Sequence, residues 1–235
     1  IERDRVEHSY AMLARRTLAL AGALRSRLAI GAGDRVALVM HNNAAYVELL
    51  YACWAAGAAA IPVNVKLHPR EIAFILDDAQ ARVCFVTDAV DGAAIDAARS
   101  GGATTFIDVD SREYRALLHE PPADVAEVRT DDVAWLFYTS GTTGRPKGVM
   151  LTHRNLLAMT LNYLADVDAA AAGEHLLHAA PMSHGSGLYI LPNIAAAATQ
   201  LVPASRGFEV AEIDEILALV PKVKLFAAPT MVMRL

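Results

Sequence analysis

Positions Tyr10, Leu13, Thr17, Leu20, Leu24 and Leu28 recur at steps of three and four. That spacing predicts an amphipathic helix, with Ser9 as its N-cap and Arg15, Arg16, Arg25 and Arg27 on its solvated side. The period then changes. Gly31-Ala32-Gly33-Asp34 turns the chain into a continuous apolar run over 36–40, the pattern of a strand covered on both faces. Asn42 or Asn43 can cap the next predicted helix, which Gly57 ends by taking the left-handed conformation. A strand over 58–63 follows, then a helix that starts at Pro69 and carries Ile72, Ile75, Leu76 and Ala79. Apolar runs at 82–87 and 104–109 read as two more strands, with a helix after Ser111.

The alternation resumes beyond a polar, proline-containing segment at 120–132. It predicts strands at 133–138, 149–152, 175–180, 200–203 and 224–228, and helices over 154–166, 188–198 and 209–220. Strands alternating with helices predict an α/β fold: βα units forming mostly parallel sheets flanked by helices. Two units are expected, a first βα sheet subdomain over 1–130 and a second over 131–235, incomplete at its C-terminal end. The chain opens on Ile1, and 231–235 reads as the first turn of a helix. Both ends read as cut, so the chain is expected to be part of a longer protein.

Composition narrows the function. Hydrophobic residues make up 54% of the 235 positions, enough for a large core, although much of that content is alanine. A net charge of −5 argues against nucleic acid as a partner, because duplex binding needs a concentrated basic surface. Cys53 and Cys84 sit in apolar segments outside any CxxC or Cys/His cluster, which predicts reduced, buried thiols and a cytoplasmic location. The most membrane-like run, 44–63, is interrupted by Glu48, Gly57 and Pro62, and reads as a buried helix followed by a core strand. His175, His178 and His184 lack the spacing of a closed metal site, so no metal ligand is assigned.

One stretch stands apart: Tyr138-Thr139-Ser140-Gly141-Thr142-Thr143-Gly144-Arg145-Pro146-Lys147-Gly148. Glycines, small hydroxyl side chains and a lysine suit a phosphate loop. The Walker pattern G-x-x-x-x-G-K-[ST] is excluded, because Pro146 occupies the position of its second glycine and Gly148 that of its Ser/Thr. The dinucleotide pattern G-x-G-x-x-G also fails. What remains is a set of small donors and one cation held beyond a rigid proline, suited to gripping a pyrophosphate. The bland alternative, a solvated loop between two strands, leaves the Pro-Lys-Gly end unexplained.

YTSGTTGRPKG closely resembles the phosphate-loop signature of the adenylate-forming superfamily, which comprises acyl-CoA synthetases, luciferases and the adenylation domains of peptide synthetases. Flanking segments fit in order: Gly33-Asp34-Arg35-Val36-Ala37, 56–64, Pro181-Met182-Ser183-His184-Gly185-Ser186-Gly187 and Ala228-Pro229-Thr230-Met231. Pro62-Val63-Asn64 and PMSHGSGL are more similar to acyl-CoA synthetases than to amino-acid activators, which carry an aspartate after the proline. The resemblance implies that a carboxylic acid, a fatty or related organic acid, joins ATP to give an acyl-adenylate and pyrophosphate, and that the acyl group then passes to CoA. It implies Mg²⁺ as companion of the ATP.

It further implies that Thr139, Ser140, Gly141, Thr142, Thr143, Gly144 and Lys147 hold the β and γ phosphates. His184 would lie near the carboxylate and adenylate, and His184, Gly185, Pro229 and Thr230 would line the acyl pocket. Lys147 and His184 are therefore the candidate catalytic residues. Against this stand plainer readings: His184 as a cap of the following helix, and Pro229-Thr230 as a strand end and helix start. Later family motifs, for adenine, ribose and the small C-terminal lid with its lysine, would follow Leu235, so the chain alone is expected to be incompetent. Two alternatives stay open, namely a carrier-protein thiol as acceptor and a non-catalytic nucleotide-binding module.

Overall fold

The structure is a computed structural model and describes residues 8–87, 92, 95–96, 104–139 and 145–235. It begins with helix α1 (Tyr10–Ser26), whose first turn is capped by Ser9: the hydroxyl accepts from the Met12 amide at 3.2 Å. Strand β1 (Arg35–Val39), helix α2 (Ala44–Ala55), strand β2 (Ala59–Val63) and helix α3 (Pro69–Asp78) follow. Asn43, and not Asn42, caps α2 by accepting from the Tyr46 amide at 2.9 Å. Gly57 ends α2 with φ +83°, a left-handed conformation that costs glycine little. Pro69 opens α3, where His68 and Glu71 form a reciprocal capping box.

Next come β3 (Val83–Val86), β4 (Thr105–Asp108), α4 (Arg112–Leu117), β5 (Val133–Thr139) and β6 (Lys147–Thr152). These six strands form one sheet in the order β4-β3-β1-β2-β5-β6. Every neighbouring pair is parallel except β5–β6, an antiparallel pair in which Thr139 lies opposite Lys147. The fold is thus α/β, with a mostly parallel sheet flanked by helices. One face packs on α1, α2 and α4 through Leu20, Leu24, Leu49, Leu50, Tyr114 and Trp135, and the other on α3 through Ile72, Ile75 and Leu76. Strands covered on both faces explain why 36–40 and 58–63 are continuously apolar and not alternating.

A second sheet has the order β8-β7-β9, all parallel: β7 (His175–Leu177), β8 (Thr199–Leu201) and β9 (Val223–Leu225). Helix α5 (His153–Asn162), with one π turn over Tyr163–Val167, precedes it. Helices α6 (Gly185–Leu188), α7 (Ile190–Ala195), α8 (Val210–Leu219) and α9 (Pro229–Val232) complete the described elements. The sheets divide between β6 and β7, because β5 joins β2 across Ala60 and Trp135, whereas the polar segment at 120–132 lies ahead of β5.

Three sequence expectations need correction. The predicted helix over 188–198 is two short helices, because Pro192 has no N–H to give the Leu188 carbonyl and the ladder breaks at Tyr189. The predicted strand over 175–180 stops at Leu177. The arginines of α1 are not merely solvated. Arg16 reaches Glu48, a fully buried carboxylate on α2, with Nε–Oε1 at 2.6 Å and Nη2–Oε2 at 3.0 Å, and the Tyr114 hydroxyl donates to the same carboxylate at 3.2 Å. Arg25 donates to the Asp124 and Ala55 carbonyls, and Arg27 pairs with Glu120, so this face of α1 fastens the 120–132 segment. Glu48, which reads as an interruption in the apolar run, is the anchor of an internal ion pair. Cys53 and Cys84 are both free and buried, as expected. Among the described residues, no helix is long and apolar enough to cross a membrane.

Candidate active site

The carboxyl ends of β1, β2, β5 and β7 carry the residues of interest, the usual position of ligand sites in open α/β sheets. A cavity of about 130 Å³ opens there. Its walls are Pro62, Val63 and Asn64 at the end of β2, Leu67 ahead of α3, Glu71 and Ile75 on α3, Tyr138 and Thr139 at the end of β5, Pro146 just ahead of β6, and His184. Thr139 and Lys147 stand opposite one another where the strands enter and leave the glycine-rich loop. Ser140, Gly141, Thr142, Thr143 and Gly144 lie outside the described residues. Lys147 is exposed, and among the described residues it forms no salt bridge.

Tyr138 braces the base of the loop. Its hydroxyl donates to Asp78 Oδ2 at the end of α3, at 2.6 Å, and burial with the adjacent Asp78 carboxylate raises its pKa well above the ordinary phenol value. The hydroxyl therefore stays protonated and the bond persists across the physiological range.

His184 occupies the N-cap position of α6, yet its side chain makes no capping hydrogen bond. The ring packs edge-on to Phe137, with centroids 5.7 Å apart, and its Nδ1 lies 3.0 Å from the buried Ser183 hydroxyl. A hydroxyl donating to Nδ1 leaves the proton on Nε2. Partial burial lowers the imidazole pKa from its ordinary 6.5, so near neutrality it is an uncharged donor. Thr139, Pro146 and His184 thus meet at one cavity from three separate elements. Gly185 lies beside them, and a Cβ there would sit 2.6 Å from the Phe226 ring. Pro229 and Thr230 are exposed at the start of α9 and do not line this cavity.

Beneath His184 lies a polar network that sequence reasoning did not assign. The buried Asn42 amide donates to the His178 and Ala180 carbonyls and accepts from the Met182 amide, each at 2.8 Å. His178 is completely buried, with Nδ1 2.8 Å from Ser186 Oγ and Nε2 2.9 Å from Gln200 Oε1. Donation to Gln200 fixes the Nε2–H tautomer and leaves Nδ1 to accept from Ser186. The only hint in the sequence is the surplus asparagine of Asn42-Asn43, since one cap needs one side chain.

Burial pushes the His178 pKa down to about 4. The folded value lies below the unfolded value of about 6.5, so the stability tied to neutral His178 is complete above pH 6.5 and declines as pH falls toward 4. Unfolding free energy should drop by about 1.4 kcal/mol per pH unit within that window from this group alone. Urea titrations at intervals between pH 7 and 4 check this. A His178→Gln chain should have a flatter profile, and identical profiles would contradict the assignment.

The AMP-binding enzyme profile matches residues 1–235, the whole chain. The chain belongs to the AMP-binding enzyme family. It is 41% identical over 188 residues to a feruloyl-CoA synthase of Amycolatopsis sp, covering 79% of this chain and 37% of that protein. It is 34% identical over 185 residues to the long-chain-fatty-acid–CoA ligase FadD13 of Mycobacterium tuberculosis, covering 77% of this chain and 35% of the relative. Among solved structures, ATP-bound MatB from Rhodopseudomonas palustris superimposes with a TM-score of 0.84 at 26% identity, over 99% of this chain and 46% of that one. The chain spans little more than a third of the length of these two curated relatives.

Proposed function

We propose that the protein carrying this chain activates a carboxylic acid with ATP and transfers the acyl group to CoA. The observation that carries the reading is the meeting of Thr139, Pro146 and His184 at one cavity on the carboxyl ends of the strands, directly where the glycine-rich loop leaves the sheet. The CoA-ligase names of the two curated relatives support CoA over a carrier-protein thiol, and one aryl and one long-chain acid between them support a fatty or aromatic organic acid.

In the first step a carboxylate oxygen attacks the α-phosphorus and the bond to the bridging oxygen breaks, releasing pyrophosphate. In the second, the CoA thiolate attacks the acyl carbon and AMP leaves. Neither step needs a protein nucleophile. The chain's contribution is alignment and charge neutralisation. Thr139 and Lys147, with Ser140, Gly141, Thr142, Thr143 and Gly144 between them, hold the leaving pyrophosphate. His184, a neutral donor, orients the carboxylate, and Gly185 keeps space open beside it. Pro229 and Thr230 act on the acyl chain from α9. Glu71 is the one carboxylate lining the described cavity, and it is engaged by the His68 amide at 3.0 Å. The described cavity therefore fits Mg²⁺ as a companion held largely by phosphate oxygens, in the manner usual for nucleotide magnesium.

The isolated chain is proposed to bind pyrophosphate without completing adenylation. Isothermal titration should show pyrophosphate binding that Lys147→Ala weakens by about tenfold to a hundredfold, the value of a charge-assisted hydrogen bond of about 1.5–3 kcal/mol. Unchanged affinity in a folded Lys147→Ala chain would remove the loop's assigned role. Acid-dependent ATP–pyrophosphate exchange in a longer protein containing this sequence tests the reaction itself.

A further inference from the structure

We infer that Asn42 is a positioning residue for the reaction site, holding in place the turn that presents His184. Asn42 follows β1, on the first sheet, and lines no part of the cavity. The segment it grips, 178–182, leads out of β7 on the second sheet, 136 to 140 residues further along the chain. This segment runs past the end of β7 while Ala179, Ala180 and Met182 are buried. Backbone groups at that depth need partners. The Asn42 amide supplies three of them: two N–H donors for the carbonyls of His178 and Ala180, and one oxygen for the amide of Met182.

The exit of the turn is secured separately. The His184 amide donates to the Pro181 carbonyl at 3.1 Å, the Gly187 amide to the His184 carbonyl at 2.9 Å, and Ser186 meets His178. His184 is thus the apex of a closed turn whose base is fastened to the other sheet by one side chain. No other residue type of this size matches the pattern. Aspartate has the same shape but, when ionised, offers no donor and sets an oxygen against two carbonyl oxygens. Serine, with a single O–H donor, loses at least one of the three bonds.

The inference rests on the reading of His184 as a site residue, and the two can fail separately. The test uses ¹H–¹³C NMR of the histidine Cε1–H resonances in this chain, with Asn42→Ser and Asn42→Asp variants. In variants that stay folded by circular dichroism, the His184 resonance should shift and its titration should move up toward about 6.5, as the ring loses its packing on Phe137. His153, the first residue of α5, should titrate as before. An unmoved His184 in a folded variant overturns the proposal. A measurement that needs no variant covers the case of variants that do not fold. In the unmodified chain, the Met182 amide should exchange with deuterium at least about 100-fold more slowly than exposed loop amides. Exchange at the exposed rate also overturns it. If the Asn42 variants move His184 but His184→Ala leaves acid-dependent exchange intact in the longer protein, His184 loses its role, and with it Asn42 its place in the reaction.

Discussion

Replacing Gly187 by alanine is expected to displace the turn that carries His184 and to destabilise the chain by about 3 kcal/mol, at the upper end of the range for overpacking. A Cβ at this position would lie 1.8 Å from the Met182 carbonyl oxygen, 2.9 Å from its carbon and 3.2 Å from the Trp135 ring. The obstacle is backbone, so no rotamer change relieves it. Met182 is also unable to retreat freely: its side chain is fully buried and its amide is held by Asn42. Gly185→Ala makes a useful contrast, because its close neighbour is the Phe226 ring, a side chain that can turn aside. Urea denaturation of the two variants should rank Gly187→Ala well below Gly185→Ala. Equal stabilities, or a Gly187→Ala midpoint matching the unmodified chain, would contradict the packing described.

The second large effect concerns the internal ion pair between α1 and α2. Arg16→Met is expected to cost about 3 kcal/mol, the lower end of the range for breaking a buried pair, because it leaves a carboxylate that water cannot reach with only the Tyr114 hydroxyl and the His8 imidazole, 3.1 Å from Oε1, beside it. Glu48 is fully buried, while Arg16 is about a quarter exposed. The asymmetry makes a directional prediction. Glu48→Gln should cost less than Arg16→Met, since the freed guanidinium can turn to solvent. The double variant should be more stable than Arg16→Met alone, because the buried charge that lost its guanidinium is gone and Tyr114 keeps an acceptor. Additive losses in this cycle would show that the two groups are not coupled.

Most of the architecture was legible in the residues for one reason: a strand covered on both faces leaves a continuous apolar run, and a flanking helix leaves a three-to-four spacing. Ser9, Pro69 and Gly57 could be placed because capping and left-handed turns are local chemistry, decided within a few residues. In the glycine-rich segment, Pro146 ahead of Lys147 excludes a Walker loop on backbone geometry alone, again a matter of local chemistry. Boundaries failed where partners far along the chain decide them. The apolar run after His175 continues through Ala180, yet only three residues find strand neighbours, and the rest is taken over by Asn42.

The sequence by itself determined the alternating α/β plan and the family, because both are written in short-range patterns. Only the tertiary structure decided that Asn42 grips the 178–182 segment instead of capping a helix. It alone paired Glu48 with Arg16, placed His184 against Phe137 beside Thr139 and Pro146, and left Pro229 and Thr230 outside the described cavity. The physical reason is common to the Asn42 and Glu48 contacts. A buried polar group takes its meaning from the partner that satisfies it, and here the partners lie from about 30 to 140 residues away.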